Sequence, residues 1–127
     1  MYMNTPRTAV RRIVCAAVLL FTTACGATTE PRAPLPLVAS VGFDKLDVVV
    51  LNQGGAAWTR VRLMLNPTDT DDGFYFDTDE IRAGATFQKA AALFADAKGE
   101  RFNAYRTKPQ TFRIRAAEGT WAHTFVY

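Results

Sequence analysis

Ser40 and His123 are the only serine and the only histidine of the 127-residue chain, so a serine hydrolase would have to use both. A catalytic serine needs a base within reach and a geometry that exposes its hydroxyl. The G-x-S-x-G pattern of a nucleophile elbow is not met, because Val38 stands in the place of the first glycine. His123 alternates with Trp121, Phe125 and Tyr127. That pattern suits either a ligand or pH-sensitive contact, or a histidine packed among aromatics at a sandwich edge. With no second histidine, a zinc site lacks its ligands. The residue inventory therefore predicts a non-catalytic protein, with a small periplasmic hydrolase as the weaker alternative.

Two further groups could bind. Asp69, Asp71 and Asp72 precede Gly73, with Asp77, Asp79 and Glu80 beyond. Several carboxylates on one loop suit Ca²⁺, which takes many oxygen ligands. Asp69, Asp71 and Glu80 fall at the first, third and twelfth positions of an EF-hand loop, but Phe74 occupies the required glycine position. A calcium-stabilised module is thus an alternative to a solvated loop; no other cofactor is expected. Arg60 with Arg62, and Arg113 with Arg115, each project from one strand face at period two. If the two strands are neighbours, the four guanidinium groups form a basic patch for phosphates, carboxylates or an acidic protein surface. Alternatively they pair with aspartates such as Asp77 and Asp79. Trp58 alternates with Arg60 and Arg62, which would expose it beside them as a glycan or protein platform. Burial in a sandwich core is the competing reading.

These residues sit on short β patterns. Leu37 to Phe43 is a weak strand. Leu46 to Leu51 is a strong one, rich in β-branched residues, and Asn52-Gln-Gly-Gly55 is a turn signal. Ala57 to Leu65 alternates, Asn66 to Gly73 is a polar loop, and Phe74 to Phe76 reads as a short strand. Thr86 to Lys89 predicts another. Ala90 to Ala97 is helix-like over a turn or two, stopped by Gly99. Thr111 to Ala116 and Thr120 to Tyr127 form the clearest hairpin, turned at Glu118-Gly119. The whole predicts an all-β fold: an immunoglobulin-like antiparallel sandwich of about seven strands with one short helical turn.

The amino-terminal segment has a different composition. Arg7, Arg11 and Arg12 lead into an apolar run from Ile13 to Phe21, followed by Thr22-Thr23-Ala24-Cys25-Gly26. A spanning helix needs about 20 apolar residues, more than this run supplies. A basic start, a short apolar stretch and small residues before a cut are the marks of a secretory signal. The segment resembles a bacterial lipoprotein signal peptide ending in a lipobox, with Thr22 departing from the usual aliphatic residue. The resemblance implies acylation of the Cys25 thiol, cleavage before Cys25, and acylation of the new amine. Gly26, where an inner-membrane lipoprotein often has Asp, implies the outer membrane where the envelope has one. Two or three acyl chains would anchor the protein stably.

The expected organisation is a signal over residues 1–24, a lipidated cysteine and Pro-rich tether over 25–36, and the sandwich over 37–127. Pro31, Pro34 and Pro36 would keep the tether extended. Three of the 15 basic residues belong to the signal, so the rest balance the 12 acidic ones and nothing favours a nucleic-acid partner. With Cys15 removed and Cys25 acylated, no intramolecular disulfide is left, and the core must rest on its aromatics.

Asn52, Trp58, Leu65-Asn66, Ala83-Gly84 and the run Phe94-Ala-Asp-Ala-Lys-Gly-Glu-Arg-Phe-Asn103 together resemble small sandwich domains of uncharacterised bacterial envelope lipoproteins. That resemblance implies a sandwich and an envelope location and supplies no catalytic residues. The expected function is a lipid-anchored binding or structural module, held to the membrane through Cys25, with an envelope protein or glycan as partner.

Overall fold

The computed structural model describes residues 35–127. The expected signal segment, Cys25 and most of the Pro-rich stretch lie outside the described residues. Eight strands follow one another: β1 (Leu35–Pro36), β2 (Ala39–Asp44), β3 (Asp47–Asn52), β4 (Trp58–Leu65), β5 (Phe74–Ile81), β6 (Thr86–Ala90), β7 (Thr111–Ala116) and β8 (Gly119–Thr124). A single 3-10 turn spans Ala91–Leu93. The strands form two sheets, ordered β2-β3-β6 and β1-β8-β7-β4-β5. Every pairing is antiparallel except β1 with β8. The chain changes sheets between β1 and β2, β3 and β4, β5 and β6, and β6 and β7. This is the three-plus-four strand division of an immunoglobulin-like sandwich, with β1 added parallel to the last strand.

Alternation builds the core. Val48 and Val50 of β3 face Val61, Leu63 and Leu65 of β4 and Phe112 and Ile114 of β7, all buried. Phe94 and Phe102 close the core between the sheets, with Phe94 packed on Phe76 and Phe112 at centroid distances of 5.8 and 6.5 Å. Each such aromatic removes a large apolar area from water, which offsets the chain entropy of ordering the loops that carry it.

Two departures from the sequence-based expectation concern backbone. β5 runs to Ile81, five residues beyond the short strand that Phe74 to Phe76 predicts. It is an edge strand whose other neighbour is only a bridge from Tyr75 to Ala95, so its outer residues stay wet. The helix-like stretch is one 3-10 turn, because Phe94 and Ala95 return to extended pairing with Phe102 and Tyr75.

The β4–β5 loop is fixed from both ends. Asn66 adopts a left-handed φ of 49°. Its side chain donates to the Lys108 carbonyl and accepts from the Gln110 and Thr111 amides. Gly73 has φ 64°, and a Cβ there would lie 2.7 Å from the Leu65 and Asn66 carbonyl oxygens. Gly73→Ala is therefore expected to destabilise the domain by about 1–3 kcal/mol, read as a fall in midpoint with unchanged slope in urea unfolding.

Candidate binding surfaces

The arginines do share a sheet face. β4 and β7 are neighbours, with Arg62 opposite Arg115 and Met64 opposite Arg113. Their alternation with Val61, Leu63, Phe112 and Ile114 puts them on the outside of the larger sheet. Trp58 does not join them and leaves the predicted platform: it is only 2% exposed and belongs to the core. The cause is Arg60, whose left-handed φ of 49° breaks the period-two alternation. Trp58 and Val61 consequently both point inward, and Ile81, the register partner of Trp58, is buried with it. The Ala117 amide donates to the Thr59 carbonyl, one residue out of step with the Arg62–Arg115 register, as at a β-bulge.

Much of the remaining charge is neutralised within the domain. Arg62 forms a two-pronged pair with Asp77, through Nε to Oδ1 and Nη2 to Oδ2 at 2.7 Å each, and donates from Nη1 to Asp72 at 2.6 Å. Its guanidinium also lies 3.9 Å above the Tyr75 ring. Planar bidentate pairing and ring stacking are arginine-specific contacts. Arg115 reaches the same Asp72 at 3.2 Å. The hydrogen bonds of Asp77 and then Asp72 hold Arg62 charged well above its ordinary range, against the cost of desolvation. A shallow cleft of about 430 Å³ remains beside Arg60, Arg62, Asp77, Asp79 and Arg115, lined by both signs of charge.

Asp72 does not gather with Asp69 and Asp71. Its carboxylate is turned onto Arg62 and Arg115, while Asp69 and Asp71 are exposed. Among the described residues no three acidic, histidine or cysteine side chains gather as a metal site. The expected Asp69, Asp71 and Asp72 ligand set is thus not assembled, because the arginines take the one carboxylate that turns inward.

Asp72 carries a pH prediction. Hydrogen bonding from Arg62 holds its carboxyl below the usual range, against desolvation and with help from Arg115. A carboxyl more acidic in the folded state stabilises the fold above its unfolded value of about 3.9, and that contribution is lost as the pH falls further. Both partners are partly exposed, so the effect is small. Asp72→Asn should cost about 1 kcal/mol at neutral pH, and its urea-unfolding free energy should converge with that of the parent in acid. Glu118 behaves alike. Burial resists its ionisation, yet hydrogen bonds from the Thr59 hydroxyl and amide outweigh this and keep it below its ordinary range.

Ser40 and His123 lie on different sheets. Ser40 is exposed on β2, with Val41 and Phe43 turned inward from the positions that alternate with it. His123 is opposite Phe112, on the inner side of β8 at the open side of the sandwich. It stacks on Trp121 at 5.6 Å with an 11° interplanar angle and meets Phe125 edge-on at 5.0 Å. His123 is part of an aromatic row.

The surface that sequence reading missed is apolar. A cleft of about 520 Å³ is lined by Leu46, Ala90, Ala91, Phe102, Ala104 and Tyr105, with Asp47 and Arg101 at its rim. An adjoining cleft of about 220 Å³ shares Leu46, Ala91 and Ala104 and continues to Phe43, Pro109 and Tyr127. Three large side chains on this groove stand open to solvent: Leu46 at 43%, Tyr105 at 86% and Tyr127 at 73% exposure. The backbone holds it open. The Ala91 amide donates to the Leu46 carbonyl, and the Asn103 side chain and carbonyl take the amides of Tyr105, Arg106 and Thr107 in a turn that presents the Tyr105 ring. The small Ala90–Ala92 run, which reads as helix in sequence, forms the floor.

The groove lies at the pole away from the chain's entry. Leu35 pairs with Gly119 beside the β7–β8 turn, whereas β2 runs from Ala39 away from that end to reach Lys45 and Leu46. No protein family, curated protein or solved structure matches the chain.

Proposed function

We propose that this chain is a lipid-anchored protein of the bacterial envelope whose sandwich works by binding, without turnover, through the apolar groove at its far pole. The observation that carries the reading is that groove. Leu46, Tyr105 and Tyr127 are exposed together along two connected clefts. Contiguous exposed apolar surface is rare without a use, and tyrosine supplies contact area at low entropic cost. The location supports it further. A lipid on Cys25 would be joined in sequence, through the Pro-rich stretch, to Leu35, which pairs beside the β7–β8 turn and not at the groove. The arginine face supports a lesser role, since Asp72 and Asp77 already occupy Arg62.

The anchor is tested by mass spectrometry of membrane-fraction protein beside a Cys25→Ser variant. The reading expects a chain that starts at an acylated Cys25, and an unprocessed or released variant. An unacylated soluble chain from both would end it. The groove is tested by photo-cross-linking from position 105 in intact cells.

A further inference from the structure

We propose that the free edge of β8 takes an extended, acidic segment of a partner protein as an added strand. β1 pairs with β8 only at Gly119 and Thr120, and its continuation ends with the Leu37 amide donating to the Thr120 carbonyl. On the other side, the Phe125 amide donates to the Gln110 carbonyl. In an extended strand the N–H and C=O of alternate residues point to the same side. Those of Ala122 and Thr124 therefore point to the open edge, where no strand lies among the described residues.

Edge strands are normally blunted by charge or proline. The opposite edge of the same sheet follows that rule, with Asp77, Asp79 and Glu80 on β5. Thr120 to Tyr127 carries neither. An open edge with donors, acceptors and no repelling charge is what strand addition requires.

The side chains beside the edge specify the chemistry. A cleft of about 510 Å³ straddles it, lined by Pro36, Arg113, Thr120, Trp121 and Ala122. Arg113 is opposite Ala122 in register, on the outer face. Among the described residues it has no carboxylate within 4.0 Å, unlike Arg62 and Arg115. Adjacent strands are about 4.8 Å apart, so an added residue facing Ala122 is two strand spacings from Arg113. The alanine methyl leaves that path clear for a guanidinium to meet a glutamate or aspartate. Residues flanking the acid would turn to the inner side, against Trp121 and His123. The site thus reads an apolar–acidic–apolar alternation. A second copy of this edge offers no side-chain carboxylate from Thr120 to Tyr127, so a separate acidic peptide is the better match to Arg113.

The test uses the full chain in detergent micelles and two short capped peptides, one alternating valine with glutamate and one alternating valine with lysine. Amide exchange by NMR should show the glutamate peptide protecting Ala122 and Thr124. The lysine peptide should bind at least about tenfold more weakly, and Arg113→Gln should bring the glutamate peptide down to the same level. Thr124→Pro removes an N–H that points to the edge and not into the β7 ladder. It should abolish protection of Ala122 with little change in Tm, keeping the result separate from misfolding. Equal binding of the two peptides, protection elsewhere, or edge protection that rises with protein concentration alone would overturn the proposal, the last by showing a second copy on the edge.

Discussion

Asn52→Ala is expected to remove about 3 kcal/mol of stability, far beyond what loss of a turn residue at the surface would cost. Asn52 is fully buried and is the single buried polar residue among the described ones. Its Nδ2 donates to the Ala56 and Ile81 carbonyls at 3.0 Å each, and its Oδ1 accepts from the Gly54 amide at 2.9 Å. The Ile81 bond is the important one, because it joins the end of β3 in one sheet to the end of β5 in the other. Alanine leaves a buried carbonyl without its donor and removes the acceptor of the Gly54 amide. The buried Ile81 carbonyl so stranded costs about 1–3 kcal/mol, and the part-buried Gly54 amide adds to it. In a domain of this size the loss should appear as a fall in Tm of more than about 10 °C. Asn52→Asp should fare no better, since a carboxylate would face the same two carbonyl oxygens.

Phe94→Ala should cost as much or more, about 3–5 kcal/mol. Phe94 is fully buried and touches aromatic rings from two strands, Phe76 of β5 and Phe112 of β7. Its backbone also ties the far-pole segment down: its amide donates to Ala91 and its carbonyl accepts from Phe102. Truncation opens a cavity that the surrounding strands cannot collapse into, and it loosens the segment forming the floor of the groove. Phe94→Leu keeps most of the volume and should cost under about 1.5–2 kcal/mol. Comparing urea unfolding of the two variants separates cavity formation from any general intolerance at this position.

The strands with β-branched or aromatic alternation were legible in the sequence: β3, β7 and β8 show their inward faces directly, and the β-sandwich follows from them. β5 was half hidden, because apolar residues stop at Phe76 and the polar Asp77 to Glu80 show no alternation until Arg62 is placed opposite Asp77. The adjacency of the arginine strands could be stated only as a condition, and the register supplies it. What neutralises them could not be read, since Asp72 reaches Arg62 and Arg115 from the far end of a loop. Trp58 was ambiguous for a definite reason. Period-two counting assumes a regular strand, and nothing in Arg60 announces a left-handed φ. The groove was missed because alanines and Phe94 at helical spacing look like a helix. Tertiary pairing with Tyr75 and Phe102 pulls that segment into a 3-10 turn and extended chain.

The proposed function requires the far-pole groove to hold a partner in the cell. The direct measurement is site-specific photo-cross-linking in intact cells, with the reactive side chain in place of Tyr105 and, as control, in place of Gln53 at the entry pole. Binding in the groove predicts an adduct of discrete mass from position 105, absent from position 53, and lost when Ala104→Arg obstructs the lining that the two clefts share. No adduct from position 105, or the same products from both positions, would contradict it.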